Sequence, residues 1–380
     1  MLDRVVAYTH IEPQHFGADS LPEGWFHTGS HNVADGTLRW DKLEYRAPKL
    51  TPGTVSPFTA TIASKAARLT VTVSLPRLLY GDNWHVLSEA DLAAACAVVD
   101  DYLRDCLGAH AQDVPPFSTW IVRSAEYPHD IDLASSGAVE RWIRALTGTA
   151  IRGIRVNGSL PKPYLNRHGA QTGLVWGSPK SLRTVKVYDK TRQTEDEHCP
   201  PGLLRIETKV QNAAEWDKYL PREARREKRR MTVMAAGSVA VAAQVMSATH
   251  DALRLDTMRN AGVRNPFPAL TKYWTQPQAR TLAGFHAFAV LHGERDARAA
   301  FPSSYHKHLR RLSEAGFKLV LTEAGQTVEE LADLPAIPRP TLAYLTSRTT
   351  FPRSREIVAL SSWAQSTPPT PLTKALEDAS

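Results

Sequence analysis

Strict two-residue alternation constrains this chain more than any other feature. From Leu69 to Leu75, Leu69, Val71, Val73 and Leu75 alternate with Thr70, Thr72 and Ser74. Successive side chains of a strand point to opposite faces, so this is a strand with one buried face. The period returns in Thr184 to Lys190, where Val185 and Val187 oppose Thr184, Lys186, Tyr188 and Lys190. It returns again in Leu203 to Val210, with Leu204, Ile206 and Val210 opposite Arg205, Glu207 and Lys209. Half-buried antiparallel strands are the simplest reading of all three.

Thr172 to Trp176 is rich in strand formers, and Gly177-Ser178-Pro179 is turn chemistry, so residues 172–190 read as a hairpin. An earlier strand, Trp120 to Leu133, carries Glu126, Asp130 and Asp132 on one face and Tyr127, His129, Ile131 and Leu133 on the other. If these strands are neighbours, Glu126, Asp130 and Glu207 form a hard-oxygen site for a divalent ion, Mg²⁺ or Mn²⁺, beside a phenol flanked by two ammonium groups. Solvated charges on an outer sheet face are the competing reading.

The order of an acidic strand, a Gly-Ser hairpin ending in Tyr188-Asp-Lys190, and a Leu204-Arg-Ile-Glu207 strand resembles the gene II replication proteins of filamentous phages. More widely, it resembles the single-tyrosine rolling-circle initiators of plasmids and integrative elements. The resemblance runs over most of residues 55–320, weakly upstream at Pro57-Phe58 and Ser74 to His85. It departs at the acidic strand, where relatives carry Arg-x-Asp and this chain has Arg123-Ser-Ala-Glu126. The resemblance implies that Tyr188 is the nicking nucleophile and that Glu126, Asp130 and Glu207 are the acidic positions. It also implies a bacterial host, origin DNA as a single strand or extruded duplex, and host helicase, single-strand-binding protein and polymerase as partners. Lys186 and Lys190 would favour the phenolate of Tyr188, whose ordinary pKa is about 10.

The excess of positive charge, +7, favours a polyanionic partner. Cys96, Cys106 and Cys199 lack Cys-x-x-Cys spacing, which fits a reduced, cytoplasmic setting, and the first ten residues lack a signal-peptide pattern. Ser88-Glu-Ala-Asp91 opens a helix with a capping box, and Leu92, Cys96, Val99 and Leu103 give it an apolar face. Pro115-Pro116 ends that segment, and Ala138 to Leu146 reads as a second helix. The fold class is therefore α+β: an antiparallel-sheet nuclease domain backed by helices, followed by a helical C-terminal module.

Pro221 to Arg230 reads as a basic helix whose Arg222, Arg225, Arg226, Lys228, Arg229 and Arg230 face either solvent or phosphates. Met231 to Ala248 is apolar, but Thr232, Gly237, Ser238, Gln244 and Ser247 argue for a buried or self-associating helix rather than a membrane span. Thr281 to His292, Glu294 to Ala300 and Ser303 to Ala315 read as three helices before a strand at Phe317 to Thr322, a helix-turn-helix or winged pattern. In the third, Tyr305, Leu309 and Leu312 face the core while Lys307, Arg310 and Arg311 face outward. His306 and His308 read as charged surface, and His10, Glu12 and His15 as an unsupported metal set.

The expected organisation is a nicking domain over 1–215, the basic and apolar helices over 216–262, the helical module over 263–362 and a disordered tail over 363–380. The eleven tyrosines include no pair four residues apart, so ending a replication round needs a second protomer, a water or a tyrosine from elsewhere. The competing functions are a non-enzymatic, sequence-specific DNA-binding regulator and a hydrolytic metal-dependent nuclease.

Overall fold

The computed structural model describes residues 2–12, 21–31, 38–46, 58–63, 67–83, 87–147, 151, 161–178, 181–194, 199–253, 255, 266–315 and 334–348. His15, the strand expected at Phe317 to Thr322 and the tail expected over 363–380 lie outside these residues. Contacts divide the chain into two compact units. The first is Met1–Ala125, Lys228–Ser238 and Thr346–Ser380; the second is Glu126–Glu227 and Val239–Leu345.

In the first unit, strands β1 (Arg4–His10), β2 (Trp25–His31), β3 (Leu38–Arg46), β4 (Phe58–Ala63), β5 (Arg68–Ser74) and the opening residues of β6 (Ile121–Asp132) follow the order β2-β3-β4-β5-β1-β6. The alternation of β5 is realised: Leu69, Val71 and Val73 are buried and stand opposite Ile62, Ala60 and Phe58. The helix Glu89–Leu107 packs on this face, with Tyr102 stacked on Phe58 at 5.3 Å. Its capping box forms as expected, Asp91 N–H donating to Ser88 Oγ at 3.2 Å and Ser88 N–H to Asp91 Oδ2 at 2.8 Å. Cys96 and Cys106 are buried fillers, and burial pushes both thiols up to about 12. Opposite β1, Ser124 pairs with Val6 and Val122 with Ala7, so Arg123 is one residue too many. The bulge turns Arg123 out to solvent and re-phases the strand before Glu126.

In the second unit, the rest of β6 is followed by β10 (Leu203–Val210), β9 (Arg183–Asp189), β8 (Gln171–Trp176) and β7 (Lys162–Leu165). The β10–β9, β9–β8 and β8–β7 pairs are antiparallel. Leu174, Trp176, Val185, Val187, Leu204 and Ile206 make one face of this sheet apolar. The helix Ser136–Leu146 covers it with Val139, Trp142 and Leu146, each such burial contributing about 1.5–3 kcal/mol. The helix Val239–Leu253 joins the same side through a 2.7 Å hydrogen bond between Thr249 and Thr208. The α+β architecture, an antiparallel sheet backed by helices, is thus as the alternation implied.

Four expectations change. The basic stretch is helical only over Arg222–Arg226; Lys228 adopts a left-handed φ of 55°, which ends the helix. The apolar stretch is split into Val233–Ala236 and Val239–Leu253, and no helix of the described residues is long and apolar enough to cross a membrane. The two helices expected over 281–300 are one, Gln276–Ala300; a single glycine inside a helix costs about 1 kcal/mol and does not by itself end it. It packs with Phe267–Leu270 and Tyr305–Glu314 around Phe285, Tyr305 and Leu312. There His308 is buried against Phe285 at 5.0 Å rather than on a charged surface, and the Arg311 guanidinium sits 5.0 Å over Trp274 instead of facing outward.

Candidate active site

The polar face of the second unit's sheet gathers the side chains singled out above. Antiparallel register puts Glu207 of β10 opposite Lys186 of β9, and Arg205 opposite Tyr188. Tyr188 O–H donates to Glu207 Oε2 at 2.9 Å, and Lys186 Nζ donates to the other carboxylate oxygen at 2.5 Å. Both residues are nearly enclosed, Tyr188 at 3% and Glu207 at 4% exposure. Burial pulls the Glu207 carboxyl upward, but the Lys186 ammonium, the Arg205 guanidinium and the Tyr188 hydroxyl outweigh it and hold it below the usual carboxylate range. Lys186 answers in kind: burial alone would lower it, and the charges of Glu207 and Glu126 raise it above the ordinary lysine value.

A second ion pair lies in the next row. Arg205 is fully buried and grips Asp130 of β6 through two hydrogen bonds, Nε to Oδ1 at 2.5 Å and Nη2 to Oδ2 at 2.6 Å. Lys209 completes the set, its Nζ 3.1 Å from Glu126 Oε1. Lys190 is buried at the start of the helix Lys190–Thr194 and donates to Gln193 Oε1 at 3.2 Å. Its neighbour Asp189 accepts from Arg192 N–H at 2.9 Å, which turns β9 into that helix.

Glu126, Asp130 and Glu207 therefore share one face, but not as the ligand cage expected for Mg²⁺ or Mn²⁺. Lys209, Arg205 and Lys186 each meet one of the three carboxylates. Among the described residues no group of three or more His, Cys, Asp or Glu is placed to hold a metal ion. A hard divalent cation is held by oxygens whose negative charge it offsets. Here ammonium and guanidinium groups already offset that charge, so these residues do not fit the ion in this arrangement.

Two contributors were missed. Strand β7 begins after Pro161 and contains Pro163, residues that argue against a strand, yet at the sheet margin Pro is tolerated. Its Tyr164 lies opposite Gly173, which lies opposite Tyr188. A Cβ on Gly173 would come within 2.4 Å of Tyr188 Cβ, so the bare backbone leaves room for the Tyr164 and Tyr188 rings to meet at 5.0 Å. Lys186 Nζ sits 5.5 Å from the centre of the Tyr164 ring. The clamp residue Arg205 was visible as a polar-face position, but its pairing with Asp130 needed the sheet order.

Of the basic residues, Arg222, Arg225 and Arg226 are exposed and belong to the same unit as the site, whereas Lys228, Arg229 and Arg230, also exposed, belong to the other. Lys307 and Arg310 are exposed on the helix Tyr305–Glu314.

The chain matches no family model and no curated protein. Among solved structures it is similar to a rolling circle replication initiator protein from Geobacillus stearothermophilus, with 9% identity over 66% of this chain and 83% of that one, at a TM-score of 0.31.

Proposed function

We propose that this chain is a rolling-circle replication initiator that nicks one DNA strand by attack of Tyr188, forming a 5′-phosphotyrosine and a 3′ hydroxyl, and later reseals it. The observation that carries the reading is the hydrogen bond from the Tyr188 hydroxyl to Glu207, inside a row of buried charges. A phenol held by a carboxylate and bordered by cations is equipped to give up its proton and present an oxygen nucleophile. The strand motifs that resemble the gene II proteins support the same assignment.

Glu207 receives the phenolic proton. It is a weak base toward a group of pKa about 10, so the proton leaves late, as the phosphorus–oxygen bond forms. With Glu207 neutralised, Lys186 has lost its counter-charge and stabilises the developing phosphorane oxygens. Arg205 and Asp130 act as positioning residues, fixing β10 against β6 so that Glu207 stays aimed at Tyr188. Lys190 sets the end of β9. Attack transfers the phosphoryl group to Tyr188 and releases the 3′ oxygen, which takes up the proton from Glu207, so the bond energy is retained for resealing. Because Tyr188 is nearly enclosed, DNA reaches it only when the polar face opens. Arg222, Arg225, Arg226, Lys228, Arg229, Arg230, Lys307 and Arg310 supply sequence-independent phosphate contact; the helicase, single-strand-binding protein and polymerase of the host would act on the nicked product.

Incubation with 3′-labelled, random-sequence single-stranded oligonucleotides tests this directly. A denaturation-resistant labelled adduct, absent in Tyr188→Phe, is the expected result. Cleavage that survives the substitution would mean hydrolysis, and retention of intact DNA alone would mean a binding protein.

A further inference from the structure

Residues 334–340, Leu-Pro-Ala-Ile-Pro-Arg-Pro, leave the backbone little choice. The rings of Pro335, Pro338 and Pro340 fix φ, and Leu334, Ile337 and Arg339, each preceding a proline, are held extended. Only Ala336 is unconstrained, so the stretch forms a polyproline-type helix with three residues per turn and no internal hydrogen bonds. Burial follows that period: Leu334, Ile337 and Pro340 are buried, Pro335 and Pro338 half-buried, Ala336 and Arg339 exposed.

The groove that receives this strap lies on the helical side of the second unit's sheet, away from Tyr188. Leu334 and Ile337 pack into the apolar cluster that contains Val139, Trp142 and Leu253. Side chains of the two covering helices meet carbonyls that a polyproline helix leaves unused. Trp142 Nε1–H donates to the Pro335 carbonyl at 3.1 Å, Ser247 Oγ–H donates to that of Pro340 at 3.0 Å, and His250 Nε2 lies 3.4 Å from that of Ile337. At the open edge Asp251 takes both terminal nitrogens of Arg339, Nη1 at 2.6 Å and Nη2 at 2.7 Å. An apolar groove with an indole donor, matched to two apolar-proline pairs, is how proline-rich ligands are bound in general, and here an acid adds selection for arginine. The ion pair is exposed and screened, so it selects the ligand more than it fastens it.

We infer that this groove is a recognition site for a proline-rich segment of another protein, of the pattern apolar-Pro-x-apolar-Pro-Arg, and that the chain's own residues 334–340 occupy it until such a segment displaces them. The inference does not depend on the nicking function. A partner held there leaves the polar face of the sheet, with Tyr188 and Glu207, clear.

The test is to titrate a fluorescent peptide spanning Leu334 to Leu345 into the full-length protein and follow its anisotropy. In the wild type the tethered strap competes at an effective concentration in the ~mM range, so the peptide binds weakly. Arg339→Glu makes Asp251 repel the chain's own strap and leaves the groove intact; this variant should bind the peptide at least about tenfold more tightly than wild type does. Asp251→Arg should lose that peptide and accept one carrying Arg339→Glu. No binding to the Arg339→Glu protein, or binding that Asp251→Arg leaves unchanged, overturns the inference. Failure of the Arg339→Glu protein to fold, read by thermal unfolding, also overturns it, because a strap that the fold cannot release is core rather than ligand. A wild-type protein that sediments as a dimer, and as a monomer once Asp251→Arg is introduced, would put a second copy in the groove and overturn the separate partner.

Discussion

Arg205 and Asp130 form a two-bonded ion pair with no solvent on the guanidinium: Nε to Oδ1 at 2.5 Å, Nη2 to Oδ2 at 2.6 Å, Arg205 fully buried. Removing one partner strands the other charge in a dry interior, which costs about 3–5 kcal/mol. Asp130→Ala should lower the urea midpoint accordingly at unchanged slope. The double variant Asp130→Leu with Arg205→Met replaces the pair by apolar volume and should recover most of that loss. A single variant within about 1 kcal/mol of wild type would show that the pair does not hold β10 to β6.

Glu207→Gln keeps a hydrogen-bond acceptor opposite Tyr188 but cannot take its proton, and it strips Lys186 of its counter-charge. The rate of adduct formation should fall by about 10²–10⁴, the usual worth of a positioned base, while retention of single strands on a filter changes little. A rate within twofold of wild type would remove Glu207 from the mechanism.

The sheet and the site residues were readable because alternation is a backbone property. Once Val185 and Val187 are buried, Lys186 and Tyr188 have nowhere to point but the other face, and Glu207 follows by the same logic in β10. What alternation cannot supply is which strand lies beside which. The pairing of Asp130 with Arg205 depends on β6 lying next to β10, which brings together residues 75 apart in the chain. The acids therefore looked like a cation cage when their partners were on adjacent strands all along. Tyr164 was hidden for a local reason, since Pro161 and Pro163 precede it and its partner on the next strand is a glycine. In the helical module, periodicity picked out Tyr305 and Leu312 but not His308, which a charged Lys307 neighbour disguised.

Gly173 should tolerate no side chain. A Cβ there would stand 2.2 Å from the Val187 carbonyl oxygen and 2.4 Å from Tyr188 Cβ, and the first of these is backbone. Gly173→Ala is expected to cost about 1–3 kcal/mol as an overpacked site and to separate the two tyrosine rings. Thermal unfolding reads the first effect and the adduct assay the second. An alanine variant with wild-type stability and adduct yield would contradict the packing of this row.

Acid should loosen the helical module first. His286 and His308 are buried, His308 against Phe285; burial lowers both below the usual 6.5, helped at His308 by Arg311 and Lys307. The unfolded chain then binds more protons than the folded one, so stability rises with pH in this range and is lost as pH falls through about 6.5. Glu207 is also depressed, so its contribution is present above the unfolded value of 4.5 and fails only at lower pH. Lys186, being raised, keeps its contribution until pH exceeds about 10.5. Trp274 packs in the module's core, and its fluorescence should shift between pH 7 and 5 in roughly the steps of a histidine titration. A flat signal over that window, or one removed by neither His286→Gln nor His308→Gln, would place the acid sensitivity elsewhere.

The exposed arginines make the last test. Arg222, Arg225 and Arg226 lie on one short helix, each open to solvent and in the same unit as Tyr188. If they meet phosphates, replacing all three by alanine weakens single-strand binding uniformly across sequences. It also reduces the slope of log affinity against log salt by about 2, since each released counterion on a single strand contributes about 0.7. Affinity measured at several salt concentrations distinguishes this from a folding defect, which would lower the active fraction and leave the slope alone. An unchanged slope with the same affinity would return these arginines to an ordinary solvated surface.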